Sequence, residues 1–213
     1  MKKRCAMCLA ILLILSLLAG CSPSDEDLLV GKWKAKVDLA LAYEDLLARA
    51  DASVAAHIDL TDFEVTLTLR FEDDGTYRMQ ADEEAIAAGA EKMEAAIRTG
   101  MAAYLQARTG KTMDNLLAAT GMTMDELMDR YFSADLAATI QQNLEAKGTF
   151  KINGGKLILL DQEGNKVFEG KYAVDEEELE LKSGVTSNLI ASLLPLKLDK
   201  KEKAKQASLG GLT

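Results

Sequence analysis

The chain has 213 residues, enough for one domain with its own hydrophobic core, and its 34 acidic against 25 basic residues give a formal net charge of −9. An acidic surface repels nucleic acid, so nucleic acid is excluded as a partner. The chain holds one histidine, His57, and three cysteines, all within the first 21 residues. Zinc sites and Cys–His catalytic pairs need more of these side chains than the rest of the chain offers. We expect no metal, no cofactor and no catalytic residues.

Residues 1–20 have the layout of a secretory signal peptide. The basic residues Lys2, Lys3 and Arg4 precede an apolar run over residues 6–18, and small residues follow it. A transmembrane helix needs about 20 apolar residues to cross the hydrocarbon core, and this run is shorter. We therefore predict that residues 1–20 are cleaved from the mature protein.

The apolar run ends at Leu18, Ala19, Gly20 and Cys21, which resemble the lipobox of bacterial lipoproteins. The resemblance implies that a diacylglycerol is attached to the Cys21 sulfur and that Cys21 becomes the mature N-terminus. Two acyl chains make a stable membrane anchor. The resemblance thus implies a protein held at the extracytoplasmic face of the cell membrane. The alternative is an ordinary signal peptide followed by an incidental cysteine.

Cleavage and lipidation leave the mature domain without a free thiol. Cys5 and Cys8 lie in the leader, and the lipid occupies Cys21. The leader also holds three basic and no acidic residues, so its removal changes the net charge from −9 to −12. The hold on the membrane is then acyl rather than electrostatic. Residues 21–29 are mostly polar and acidic and are predicted to be a lipidated tether.

Two blocks, 30–80 and 148–199, are typical of antiparallel strands. Apolar residues alternate over residues 63–71, and Asp73-Asp74-Gly75 then supplies the positive φ angles of a tight hairpin turn. Asn153-Gly154-Gly155 predicts a second hairpin in the same way. The two blocks together predict an antiparallel sheet.

Helical periodicity dominates residues 81–147, between the two strand blocks, and also predicts a helix over residues 39–56. Asp82 is the expected N-cap of a long helix that ends at Gly110. Thr123 and Glu126 are expected to form the capping box of a later helix. We predict a helical subdomain inserted at 81–147 and, because residues 200–213 are polar, a disordered tail there.

Three motifs of the strand blocks resemble the lipocalin-like lipoproteins of bacteria. They are Gly31-Lys32-Trp33, the hairpin at residues 71–77 and the hairpin at residues 148–157. The resemblance implies an α+β fold: an antiparallel lipocalin-like β-meander or barrel with Trp33 at one end, here with a large all-helical insertion between strands. Lipocalins carry an arginine on the last strand that packs on this tryptophan. Residues 194–199 contain no arginine.

The candidate ligand-contacting residues are Trp33, Met93, Met101, Tyr104, Met124 and Met128. Methionine fills gaps in cores and also forms adaptable binding surfaces, and thioethers can bind Cu(I); we favour core packing first, an apolar ligand surface second and copper last.

We favour a non-catalytic binding module for an apolar or amphipathic small ligand, with the insertion as a lid. The alternative is a structural or protein-interaction lipoprotein whose insertion contacts a partner in the cell envelope. An enzyme is the least favoured class, because the chain has no nucleophile motif and its acidic pairs fall at turns.

Overall fold

The computed structural model describes residues 24–131, 135–186 and 190–203. The described helices are α1 (Asp25–Leu29), α2 (Leu39–Ala55), α3 (Glu83–Thr109), α4 (Met113–Thr120), α5 (Met124–Tyr131), α6 (Leu136–Leu144) and α7 (Ile190–Leu193). The described strands are β1 (Gly31–Asp38), β2 (Glu64–Phe71), β3 (Thr76–Ala81), β4 (Ala146–Asn153), β5 (Lys156–Asp161), β6 (Lys166–Val174), β7 (Glu178–Thr186) and β8 (Leu196–Lys203). The fold is therefore α+β, as expected.

The strands form one closed antiparallel barrel. Each strand pairs with the next along the chain, and β8 pairs back onto β1. Closure removes the two free edge strands that an open sheet would have. Both predicted hairpins are confirmed, with Leu69 opposite Met79 and Phe150 opposite Leu159.

Apolar side chains fill the barrel interior. Trp33, Leu67, Leu69, Phe71, Leu157 and Phe168 are among the largest fully buried side chains. The rings of Phe71 and Phe150 meet edge to face, with their centroids 4.9 Å apart. Within the described residues no polar or charged residue is buried. Each large apolar side chain contributes about 2–3 kcal/mol by leaving water, so this interior stabilises the barrel as a packed core.

The hydroxyl of Tyr77 stands out in this interior. Tyr77 lies opposite Phe71 in the β2–β3 hairpin and is 3% exposed, and its hydroxyl has no hydrogen-bond partner among the described residues. Burial and the nearby carboxylate of Asp161 raise the pKa of Tyr77 to about 12. A tyrosine in an unfolded chain titrates near pH 10. Because burial disfavours the ionised hydroxyl, this group leaves the folding stability independent of pH below about pH 10 and lowers it as the pH rises through 12.

We expect Tyr77→Phe to raise the free energy of unfolding by about 1 kcal/mol at pH 7, because it removes a buried hydroxyl that has no partner. Between pH 10 and 12 the wild type should lose on the order of 2 kcal/mol more than the variant. Urea denaturation followed by circular dichroism at several pH values measures both effects. A variant less stable than the wild type at pH 7 would show that the hydroxyl is hydrogen-bonded.

Different elements cover the two ends of the barrel, since an up-and-down meander alternates its connections between the ends. Helix α1 shares one end, the α1 end, with the β2–β3, β4–β5 and β6–β7 turns. The other end, the helical end, receives α2, the segment from α3 to α6 between β3 and β4, and α7. The helices and the connections between strands therefore lie at one end of the barrel or the other.

The helical end is packed onto the barrel core. Helix α3 contacts β2, and α6 contacts β3. Ile86 and Met93 of α3 and Ile140 of α6 belong to the same buried cluster as the strands. A Cβ at position 89 would lie 2.0 Å from the ring of Phe63. Only glycine at this position therefore lets α3 pack so closely against Phe63. The helical end is thus continuous with the core rather than a loosely attached layer.

The predicted helix termini are confirmed. The carboxylate of Asp82 accepts a hydrogen bond from the backbone N–H of Ala85 at 3.0 Å. Gly110 ends α3 in the left-handed conformation, with φ 70°. Thr123 and Glu126 exchange reciprocal side chain–backbone hydrogen bonds of 3.1 and 2.7 Å. These local signals fix where the helices start and stop.

Four predicted boundaries differ from the structure. Much of the predicted tether, 21–29, forms α1, because Ser24 and Asp27 make a capping box and Leu29 is fully buried. The last strand continues to Lys203, so the predicted tail at 200–213 begins too early, and residues 204–213 lie outside the described residues. Strands β3 and β4 extend to Ala81 and Ala146, one and two residues into the predicted helical block.

Candidate functional site

The predicted lipobox, Leu18, Ala19, Gly20 and Cys21, lies outside the described residues. Lipidation of Cys21 therefore stays a prediction. Among the helices of the described ranges, none combines the length and the apolar character needed to cross a membrane. The first described residue is Ser24, whose side chain caps α1.

Trp33 closes the α1 end of the barrel. It is fully buried, and its indole N–H donates a hydrogen bond to the Leu29 carbonyl at 2.7 Å. The Lys200 ammonium lies 4.7 Å from the centroid of the Trp33 ring and donates to the Leu28 carbonyl at 2.7 Å. Lys200 thus supplies the cation that a lipocalin arginine would place on this ring, one residue beyond 194–199. This geometry gives Trp33 a structural role and leaves its ring no ligand-facing surface.

A groove at the helical end is a candidate small-molecule site. We call it the α3 groove; it lies between α3 and the loop at residues 59–63 and has a volume of 260 Å³. Its apolar lining includes Leu60, Phe63, Gly89, Met93 and Ala96. The small side chains of Ala95 and Ala96 on α3 leave room that larger side chains would fill, whereas the Phe63 ring already occupies the space beside Gly89. The α3 groove is therefore a recess formed where the helix comes closest to the barrel.

The rim of the α3 groove is polar. Asp59, Asp62 and Lys92 line it, and the Lys92 ammonium lies 3.5 Å from the Asp62 carbonyl oxygen. Asp62 has φ 55°, a left-handed conformation that aspartate adopts more often than most non-glycine residues do. An apolar floor with a few charged groups at its edge suits an amphipathic ligand.

The structure does not bring the candidate ligand-contacting residues together. Met93 is buried and lines the α3 groove, whereas Trp33 lies at the opposite end of the barrel. Met101 and Met124 are half-buried and pack against the core. The side chain of Met128 lies outside the described set. Of the candidate methionines, Met93, Met101 and Met124 therefore pack between the helices and the barrel, and among these three Met93 alone lines a groove.

Tyr104 belongs to a polar cluster that joins α3 to the end of α2. Its ring centroid lies 5.9 Å from that of His57, and its hydroxyl accepts a hydrogen bond from the Arg108 guanidinium. Hydrogen bonds with Ser53 and Arg108 lower the pKa of the Tyr104 hydroxyl. Next to it, the Ser53 hydroxyl donates to the carboxylate of Asp51, where the backbone of α2 leaves the helical conformation. The cluster is exposed and serves as a link between two helices.

Two further grooves lie at the helical end. One, of 370 Å³, is lined largely by polar residues where α6 meets β3 and β4. The other, of 530 Å³, runs between α2 and β8 and is lined by Leu41, Leu193 and Pro195. Leu41, which borders this groove, is 66% exposed.

The carboxylates at the turns bond to their own turns. Asp74 is held by Thr76, Asp161 by Asn165, and Asp175 by the backbone of Glu177. These hydrogen bonds lower the pKa of all three carboxyl groups. Within the described ranges no three His, Cys, Asp or Glu side chains are grouped so that they could hold a metal ion.

Comparison of the chain with protein-family models, with curated proteins and with solved structures found no match. The functional argument therefore depends on the chain's own residues. Sequence reasoning missed Lys200 and the α3 groove. The alternation of Leu196, Leu198 and Lys200 would have placed Lys200 on the inward face of a longer last strand.

Proposed function

We propose that the protein is a lipoprotein anchored through Cys21 to the extracytoplasmic face of the cell membrane, and that its domain is a non-catalytic binding module for an apolar or amphipathic small ligand. The lipobox residues support the anchor. The α3 groove, with its apolar floor and charged rim, is the observation that supports the binding role. In this proposal the helices between β3 and β4 are an insertion into a lipocalin-like barrel and form one wall of the groove.

Because side chains fill the interior of the barrel, the proposed ligand site is the α3 groove. Trp33, Phe71 and Phe168 occupy the space between the strands. The α3 groove, at 260 Å³, lies just under the ~300–1,000 Å³ usual for small-molecule sites. It suits one short apolar chain or ring, with a polar group of the ligand at Asp59, Asp62 or Lys92.

Filling the groove should remove the ligand. Ala96 lines the groove and is half-buried, so Ala96→Phe places a ring in the space that the ligand would occupy. We expect the domain from Ser24 onward, purified from its own host, to retain a small apolar molecule in native mass spectrometry. The ratio of ligand-bound to ligand-free protein should fall at least about tenfold in Ala96→Phe, which corresponds to about 1.4 kcal/mol of binding free energy.

Ala88→Phe is the matched control, because Ala88 is exposed on the same helix and does not line the groove. It should retain the ligand at the wild-type level, and circular dichroism should show both variants folded. A wild-type domain without bound ligand, or equal binding in the two variants, would contradict the proposal.

An envelope-protein partner is the second candidate, and the exposed leucines of α2 favour it. Leu41 and Leu46 are 66% and 41% exposed, and Leu41 borders the 530 Å³ groove. The same mass spectra separate the two candidates, because a partner adds the mass of a polypeptide and its binding is unchanged by Ala96→Phe.

A further inference from the structure

Helix α1 is fixed to one end of the barrel at several points. The Tyr172 hydroxyl donates to the Asp25 carboxylate at 2.6 Å, and Leu29 is fully buried. The indole of Trp33 and the ammonium of Lys200 both donate to carbonyls in the last turn of α1. The start of α1 therefore has a defined position on the domain.

Only a short length of chain separates that position from the proposed anchor. Cys21 precedes Ser24 by three residues. A fully extended chain spans at most about 3.6 Å per residue, so the two Cα atoms lie within about 11 Å of each other. A lipid on Cys21 consequently brings the α1 end of the barrel next to the bilayer.

The α3 groove lies at the far end of the barrel. Strands β1 and β2 have eight residues each. At about 3.3 Å per residue and a tilt of about 40°, they extend about 20 Å along the barrel axis. The loop at residues 59–63 and helix α3 lie beyond the helical end of these strands. The groove is thus separated from the anchor by the full height of the barrel.

Three lysines on the side wall of the barrel are paired with carboxylates, which weakens their attraction to anionic lipid. Lys36 pairs with Glu64 at 3.9 Å, Lys197 with Glu178 at 3.0 Å, and Lys201 with Asp199 at 3.2 Å. Each pair is neutral as a unit. Attraction to anionic headgroups needs unneutralised basic charge near the surface.

We infer that the protein stands on the membrane on its α1 end, so that the α3 groove faces the aqueous compartment and takes its ligand from there rather than from the anchoring bilayer. This inference rests on the proposed lipid anchor. It narrows the ligand to molecules that reach the groove through water, either free or carried by a soluble partner.

Fluorescence energy transfer to a headgroup dye tests the orientation. In the lipid-modified protein, Asp74→Cys places the only free thiol in the β2–β3 turn at the α1 end, and Leu41→Cys places it on α2 at the helical end. Each variant carries the same donor and is reconstituted in vesicles of phosphatidylcholine and phosphatidylglycerol. Transfer should be several-fold more efficient from position 74 than from position 41.

A second pair, Glu176→Cys at the α1 end and Ser192→Cys at the helical end, should repeat the difference. Both positions are exposed. Protein that floats with the vesicles but shows equal transfer from the two ends, or stronger transfer from the helical end, overturns the orientation alone. Lipoprotein that does not float with the vesicles overturns both the anchor and the orientation.

Discussion

Replacing Cys21 with serine is expected to abolish lipid labelling of the protein and to release its mature domain from the membrane fraction. A serine hydroxyl offers no thiol for the diacylglycerol. Each buried methylene of an acyl chain contributes about 0.8 kcal/mol, so loss of two chains removes the whole anchor. The domain beyond residue 20 has a net charge of −12, which provides no attraction to anionic lipid. Metabolic labelling with radioactive palmitate, combined with membrane fractionation, measures both effects.

The leader supplies the matched controls. Cys5→Ser and Cys8→Ser make the same substitution at positions that are predicted to be cleaved. Both should leave labelling and membrane association unchanged. The anchor hypothesis fails if Cys21→Ser still incorporates palmitate, or if either control loses it.

The barrel could be predicted from the sequence because its signals are local. Alternating apolar residues over 63–71 and the Asp-Gly and Asn-Gly turns each act over a few residues. The structure places these segments as expected, in β2 and in the hairpins β2–β3 and β4–β5. Closure of the barrel was harder to predict from the sequence, because the pairing of β8 with β1 joins residues about 170 positions apart in the chain.

The prediction of a tether at residues 21–29 missed helix α1, because tertiary contacts hold this helix in place. Residues 25–29 are an acidic run with two leucines, and a helix this short is unstable on its own. It forms where Leu29 enters the barrel end and Trp33 and Lys200 donate to its carbonyls. No sequence pattern within residues 21–29 indicates that Trp33 and Lys200 will contact this segment.

The α3 groove was missed for a related reason. Helical periodicity places Ile86 and Met93 on one face of α3, and both are buried. It does not say which residues they are buried against. The groove lies beside the contact between Gly89 and Phe63, where α3 meets the chain that enters β2. Its charged rim comes partly from Asp59 and Asp62, which resemble any solvated loop in the sequence.

Trp33→Ala should be the most destabilising single substitution at the α1 end, lowering the free energy of unfolding by about 3–5 kcal/mol. The variant leaves a cavity under α1 and removes the indole donor of the Leu29 carbonyl. A domain of this size has about 5–15 kcal/mol of stability in total, so the loss is a large part of it. Trp33 is the single tryptophan, so urea denaturation must be followed by circular dichroism rather than by tryptophan fluorescence.

Two milder variants separate the causes. Trp33→Phe keeps an aromatic ring but leaves the buried Leu29 carbonyl without its 2.7 Å donor, which should cost about 1–3 kcal/mol. Lys200→Met keeps the length of the side chain and removes only the cation over the ring and its bond to Leu28, with a cost of about 1 kcal/mol. If the Trp33 ring closes this end of the barrel, the loss of unfolding free energy should be largest for Trp33→Ala, smaller for Trp33→Phe and smallest for Lys200→Met. A cost below about 1 kcal/mol for Trp33→Ala would mean that α1 holds its position by other contacts, and the defined distance from Cys21 to the barrel would no longer depend on Trp33.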